Sequence, residues 1–308
     1  MPRTLVIAEE VVDALDAGRA VVALESTILA HGLPRGDNRR AADRIEGAVR
    51  AAGAVPATIA VLDGRVRVGL GPSQLDRLCA GDDIAKLSVR DVGVALALGV
   101  DGATTVASTS ALAHRAGIAV FATGGLGGVH RDAGSSFDVS ADLRVLGRTP
   151  IVVVCAGVKS ILDVGGTLEY LETLSVPVLG YRTDRFPGFY LSDSGFAVPW
   201  RIDEAGQAAA VLIRRRQLGL DDAAVVVANP LPPDRQLDPE IHDRTLEQGL
   251  AMVAAESVSG KDVTPRLLEF FHRSTGGASL RVNLDLVLSN AALAAEIAVA
   301  VAAETGAR

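Results

Sequence analysis

Short apolar runs of strand length recur along the chain, each followed by a longer segment rich in Ala and Leu. That alternation constrains the fold more than any single motif. The runs are Ala20–Leu24, Thr58–Leu62, Ala119–Ala122, Ile151–Cys155, Val176–Gly180 and Ala224–Ala228, and a helix is predicted around Asn38–Ala52 after the first of them. The stretch "DGRVRVGL" after Leu62 reads as the second arm of a hairpin. Strand, helix, strand with crossover connections predicts an α/β fold, its sheet largely parallel or mixed and covered on both faces. Composition agrees: 49% of residues are hydrophobic but only 4% aromatic, so the core must be Ala, Val, Leu and Ile, the usual filling between helices and parallel strands. A chain of 308 residues leaves room for one large domain or two small ones. The linker-like stretch "ESVSGKDVTP", Glu256–Pro265, is too short to mark a boundary.

Charge and cysteine content exclude several function classes. The net charge is −7 and the longest basic run is Arg214-Arg215-Arg216, within a predicted helix, so a nucleic-acid partner is not expected. Cys79 and Cys155 are far apart and lack metal-ligand spacing; they read as buried free thiols of a cytoplasmic protein. Met1–Asp16 lacks the layout of a secretory signal and is expected to belong to the mature protein. The apolar segment Leu284–Ala303 contains Asp285, Asn290 and Glu296, which fits a buried terminal helix better than a membrane span.

Chemistry-bearing residues cluster where strands end, the place at which open α/β sheets bind ligands. Five junctions stand out: "LEST" from Leu24, "KLSVRD" from Lys86, "ATGGLGGVHRD" from Ala122, "FDVSAD" from Phe137 and "CAGVKS" from Cys155. Lys159 follows an apolar strand and precedes Ser160, which reads as a helix cap. Such a lysine either snorkels to solvent or, held in a partly desolvated site, attacks a carbonyl or an anomeric carbon to form an imine. Glu25 either complements a helix dipole or acts as a general acid at the mouth of an apolar pocket; spacing does not choose between them. The glycines of Thr123–Asp132 have the wrong register for a dinucleotide fingerprint. They suit a turn whose N–H groups cradle one phosphate, assisted by Thr123 and His130, or else a mobile loop with no ligand. Asp138 and Asp142, with Ser140 between them, suit a hard divalent ion that keeps most of its waters. Lys86 and Arg90-Asp91 offer cationic contacts to a phosphate, or a surface ion pair.

Several longer stretches, "ALESTILAHGLPRGDN", "GAVPATIAVLDGRVRVGL", "FATGGLGGVHRDAGSSFDVSADL", "TPIVVVCAGVKSILDVGGTLEYLET" and "GKDVTP", closely resemble the pseudouridine-5′-phosphate glycosidases, the indigoidine-synthase-A-like family. The resemblance runs from about Val11 to Val301. It implies a single domain over residues 1–308, a three-layer α/β/α sandwich assembled as a homotrimer, that reversibly splits pseudouridine 5′-phosphate into uracil and ribose 5-phosphate with a divalent metal, typically Mn²⁺. By motif, it implies that Lys159 is the nucleophile, Glu25 the proton donor and Asp138 the metal ligand, while Lys86, Val106, Ser140, Ala141 and Asp142 line the substrate. Asn283 in "SLRVNLDLV" joins them, although its flanks match less well. "LSVRD" after Lys86 departs conservatively from the family's pattern. On residues alone, two other readings stay open: a sugar-phosphate lyase or aldolase that also uses a lysine imine, and a non-catalytic nucleotide-binding protein.

Overall fold

A computed structural model describes residues 4–256, 258 and 263–306. Of the "GKDVTP" motif, residues 260–262 lie outside the described residues, as do residues 257 and 259 of the linker-like stretch. The chain runs β1 (Leu5–Ile7), α1 (Glu9–Asp16), β2 (Val21–Leu24), a π-helical turn (Ile28–Gly32), α2 (Asp37–Ala51), β3 (Val55–Leu62), β4 (Arg65–Val68) and α3 (Pro72–Ala80). Next come β5 (Ala85–Leu87), α4 (Val89–Leu98), β6 (Gly102–Thr104), α5 (Val106–Arg115), β7 (Val120–Ala122), α6 (Ala133–Ser136) and α7 (Ala141–Leu146). The remainder is β8 (Val152–Cys155), α8 (Val164–Thr173), β9 (Val178–Tyr181), β10 (Trp200–Ile202), α9 (Ala205–Leu218), β11 (Val225–Ala228), α10 (Pro239–Ala255), α11 (Val263–Ser274) and α12 (Ala278–Gly306).

Eleven strands form the central sheet, in the order β1-β4-β3-β2-β7-β8-β11-β9-β10, with β6 and then β5 branching from β3. From β3 through β10 every pairing is parallel. Every residue of β2, β8 and β11 is buried, so both faces of this part are covered, as the continuous apolar runs require. The far half of β3 departs from that plan, pairing antiparallel with β4 on one edge and β6 on the other. The hairpin to β4 turns at Asp63-Gly64, both at positive φ (54° and 64°), the conformation that a two-residue type I′ turn demands. The expected mixed α/β sheet is thus present. Four short strands, β1, β5, β6 and β10, have too few residues to leave a run in the sequence.

Helix α12 passes the length and composition test for a membrane span, with a mean hydropathy of 2.0, yet 56% of that apolar window is buried inside the protein. It packs against α2, α9, β2, β7 and β8, which makes it a core helix, as its three interior polar residues foretold. Asn290 explains one of them. Its side-chain amide donates to the Thr123 carbonyl at 2.8 Å and its oxygen accepts from Asn229 at 3.0 Å, so a buried polar group is satisfied while α12 is fixed to the end of β7.

Candidate active site

The carboxyl ends of β2, β7 and β8 open into a cleft of about 380 Å³, whose walls also take in β5, the N-terminal ends of α4 and α5, and parts of α11 and α12. That volume suits a small-molecule ligand. Two of the five motifs are joined by continuing the β7–β8 pairing past the sheet. Ala156 N–H donates to Gly124 O, Leu126 N–H to Gly157 O and Lys159 N–H to Leu126 O, at 2.9, 2.9 and 3.2 Å. Close approach explains the glycines. Gly157 sits at φ +81°, and a Cβ there would lie 2.0 Å from the Pro187 carbonyl oxygen. A Cβ at Gly127 would strike the Ser140 hydroxyl at 2.3 Å.

This zipper narrows one sequence expectation and corrects another. The amides of Thr123, Leu126, Gly127 and Val129 are bonded to Val154 O, Gly157 O, the Asp142 carboxylate and Thr167 Oγ1, so none of these four is left to cradle a phosphate. Nor does Lys159 begin a helix. It lies on a turn, and α8 starts only at Val164, capped by Asp163, whose carboxylate accepts from Gly166 N–H at 2.9 Å. Ser160 caps nothing: it is buried, with its hydroxyl 2.8 Å from Nε2 of His242. A short loop between strand and helix concealed this, because a hydroxyl just before Ile-Leu looks like a cap in sequence.

Glu25 and Lys159 line the same cleft. Burial pushes the Glu25 carboxyl above the usual carboxylate range; the Lys159 charge and a hydrogen bond from Thr123 oppose this, Asp142 adds to it, and Lys86 opposes it. Thr123 is itself 1% exposed and absent from the cleft wall: its hydroxyl donates to Glu25 Oε1. Its expected place on a phosphate is therefore corrected to one behind the acid. Asp142 lines the cleft but is 7% exposed and already engaged, Oδ1 accepting from Ala107 N–H and Oδ2 from Gly127 N–H, both at 2.9 Å. It clamps the glycine loop to the first turn of α5. Ser140 Oγ caps α7 by accepting from Asp142 N–H.

The remaining predicted residues, Lys86, Val106, His130, Asp138, Ala141 and Asn283, all reach the cleft. Asp138 is partly exposed, its Oδ2 standing 3.6 Å from His130 Nδ1. Among the described residues no three His, Cys, Asp or Glu side chains form a metal cage. One open carboxylate at a polar cleft still fits a hard cation that keeps most of its waters. Sequence reasoning missed Thr27, His31, Ser88, Phe189 and the α11 residues Thr264, Pro265 and Leu268, which also line the wall. The "TP" of "GKDVTP" was a signal for the α11 edge; nothing in sequence marked Phe189, held at φ +62° beneath Gly125.

Known proteins resemble this chain over nearly its whole length. A family described as indigoidine synthase A like protein matches residues 10–300. A pseudouridine-5′-phosphate glycosidase of Salinispora tropica is 64% identical over 294 residues, covering 96% of this chain and 91% of its own, and one of Frankia alni is 57% identical, covering 97% and 83%. Among solved structures, the prealnumycin C-glycosynthase AlnA in complex with ribulose 5-phosphate is 39% identical with a TM-score of 0.91 over the whole of both chains. An indigoidine synthase A-like protein of Thermotoga maritima is 35% identical with a TM-score of 0.87, covering 96% of each chain. The chain belongs to the indigoidine synthase A-like family.

Proposed function

We propose that the protein is a pseudouridine-5′-phosphate glycosidase, which reversibly cleaves the carbon–carbon glycosidic bond of its substrate to give uracil and ribose 5-phosphate. The observation that carries this reading is the meeting of Glu25, kept toward its protonated form by burial, with the Lys159 amine in one cleft. The names of the relatives and the sugar phosphate bound by AlnA support it.

A C-glycoside gives no departing oxygen to protonate, so the usual two-carboxylate route has no handle. Protonating the ring oxygen instead opens the sugar. As Glu25 delivers its proton to that oxygen, the Lys159 amine attacks C1′ and the C1′–O bond breaks. The adduct nitrogen then gives up a proton, its lone pair expels uracil, whose C5 takes up a proton in turn, and an imine is left between Lys159 and ribose 5-phosphate. Water hydrolyses the imine to free sugar phosphate and lysine. With the amides of Leu126, Gly127 and Val129 engaged, the phosphate is assigned to Lys86, Ser88 and the start of α5 at Val106, where helix N-termini favour an anion. Asp138 would hold a divalent ion such as Mn²⁺, which through its waters would help to orient the substrate.

The exposed apolar side chains of Val94 and Leu98 on α4 and of Phe137 beside Asp138 support self-association, for which a homotrimer is the proposed form. Light scattering on the purified protein measures it. A cytoplasmic setting accompanies this reading, since Cys79 and Cys155 are both buried free thiols. The reaction is tested by following uracil release from pseudouridine 5′-phosphate, with and without Mn²⁺. Borohydride reduction in the presence of ribose 5-phosphate should fix the sugar on Lys159, as read by peptide mass. A label on Lys86 instead, or no uracil release, overturns the assignment.

A further inference from the structure

Glu25 faces two spaces. On one side is the substrate cleft, and on the other is a cavity of about 10 Å³ lined by residues of β2, the π-helical turn, α2, β3, β7 and α12. That rear cavity is large enough for about one water. Its polar groups are Glu25, Thr123, Thr58 and a second carboxyl, Glu46 on α2. The two acids are held alike. Thr123 donates its hydroxyl to Glu25 Oε1, and Thr58 donates to Glu46 Oε1 at 2.6 Å. Strand register brings these pairs together, because β2 aligns Leu24 with Thr58 of β3 on one side and with Ala122 of β7 on the other. Glu46 faces two spaces as well. It also lines an outer groove of about 270 Å³ beside Arg39, Asp43 and Arg50, away from the cleft.

We propose that Glu46 is a proton reservoir for Glu25, linked to it through one water in the rear cavity and to bulk solvent through the outer groove. The inference rests on the glycosidase reading of the cleft. A bound substrate covers the cleft side of Glu25, and the only other space its carboxyl lines among the cavities described is the one shared with Glu46. As Glu25 protonates the ribose ring oxygen, the water gives a proton to Glu25 and Glu46 gives its own to the water. When the ring oxygen yields the proton up again, the three transfers run backwards, so no proton is consumed. Glu46 touches no substrate and is a positioning residue.

Burial pushes the Glu46 carboxyl above the ordinary range, opposed by the Thr58 hydrogen bond and the charge of Arg50; Asp43 adds to the rise and Arg39 opposes it. Arg50 is itself paired with Glu10 of α1, and Arg39 with Asp76 of α3. Lys159, Asp142 and Lys86 are the charged groups that act on Glu25 from the cleft side.

The test is Glu46→Gln, which keeps an acceptor for Thr58 and removes the proton. Once Glu46 has given up its proton it carries a like charge beside the same cavity, and its removal should lower the titration midpoint of Glu25, read by carbon-13 carboxyl NMR on the substrate-free protein with Glu25→Gln as the assignment control. The kcat for uracil release should fall about tenfold with KM within about twofold, and the high-pH limb of the kcat profile should move to lower pH. Should Glu46→Gln fail to fold, Glu46→Asp keeps the acid but shortens it and should give an intermediate shift. An unchanged Glu25 midpoint overturns the proposal, including the case in which kcat falls without it. A parent protein that releases no uracil overturns the glycosidase reading instead, and the NMR titration still decides the coupling.

Discussion

Glu25 and Lys159 stand on loops that prolong buried parallel strands, whereas another wall of the cleft is carried by the short strand β5, the start of α4 with its exposed Arg90, and the loop that bears Asp138. On the first wall, backbone bonds lock "CAGVK" to the glycine loop, Asp142 clamps that loop to α5, and Asn290 ties the end of β7 to α12. On the second, the Arg90 side chain is 80% exposed and that of Asp138 is 31% exposed. The difference follows from what each wall must do. Bond-making needs a nucleophile and an acid held to within a fraction of an ångström, and packing supplies that. Holding a phosphate or a hydrated ion needs charge of the right sign, which tolerates looser placement.

The largest effect should come from the rigid wall. Lys159→Arg keeps the positive charge, but a guanidinium stays protonated and cannot attack C1′. Uracil release should fall by roughly a thousandfold or more. A near-normal rate would mean that charge alone suffices, and the contrast between the walls would collapse. Glu25→Gln should cost about 10²–10⁴ in kcat, the range for losing a general acid. The sign of its pH dependence follows from the raised carboxyl: the protonated form does the work, so the rate falls as pH rises through a midpoint above the usual carboxylate range. A rate that instead rose over that interval would assign Glu25 the role of a base.

An intermediate effect should appear where the anchoring wall meets its ligand. Lys86→Met should raise KM about 10–100-fold, the worth of a hydrogen bond to a charged group, with kcat changed far less. Unphosphorylated pseudouridine should lose little between the parent and this variant. Equal KM changes for both substrates would remove Lys86 from the phosphate. Asp142→Asn tests the clamp rather than a contact. An amide oxygen can replace one acceptor, but its NH₂ would then face the N–H of Ala107 or Gly127, leaving buried donors opposed. The expected cost is about 1–3 kcal/mol in urea unfolding.

Legibility in the sequence divides along the same line. The buried strands β2, β7, β8, β9 and β11 announced themselves because parallel strands covered on both faces must be apolar throughout. Their exits carried Glu25, Thr123 and Lys159, so the reacting wall could be read from strand ends. What could not be read was the direction of each bond. Thr123 appeared as a phosphate ligand and serves Glu25; Asp142 lines the cleft as expected but also accepts from two distant amides; Ser160 appeared as a cap and bonds His242. Each is a small polar residue whose partner lies at least 15 residues away, and one sequence contains no record of such pairings. Glu46 was silent for a related reason. On an otherwise charged helix it looks like one more solvated acid, and only the packing of α2 on β3, where Thr58 donates to it, turns it inward.

The smallest effect should come from Arg90, which lines the cleft and carries a full charge and yet belongs wholly to the exposed wall. Its guanidinium already has the Asp91 carboxylate at 3.5 Å, so the pair's net charge toward an incoming phosphate is close to zero. Exposed pairs of this kind contribute about 0–1 kcal/mol. Arg90→Ala should therefore raise KM by no more than about fivefold, leave kcat unchanged, and lose even that effect when salt is raised to about 0.5 M. If Arg90→Ala matched Lys86→Met in size, the charge on the outer wall would have to be reorganised by the substrate as it binds. The two walls would then differ only before the ligand arrives, and the static contrast drawn from exposure would fail.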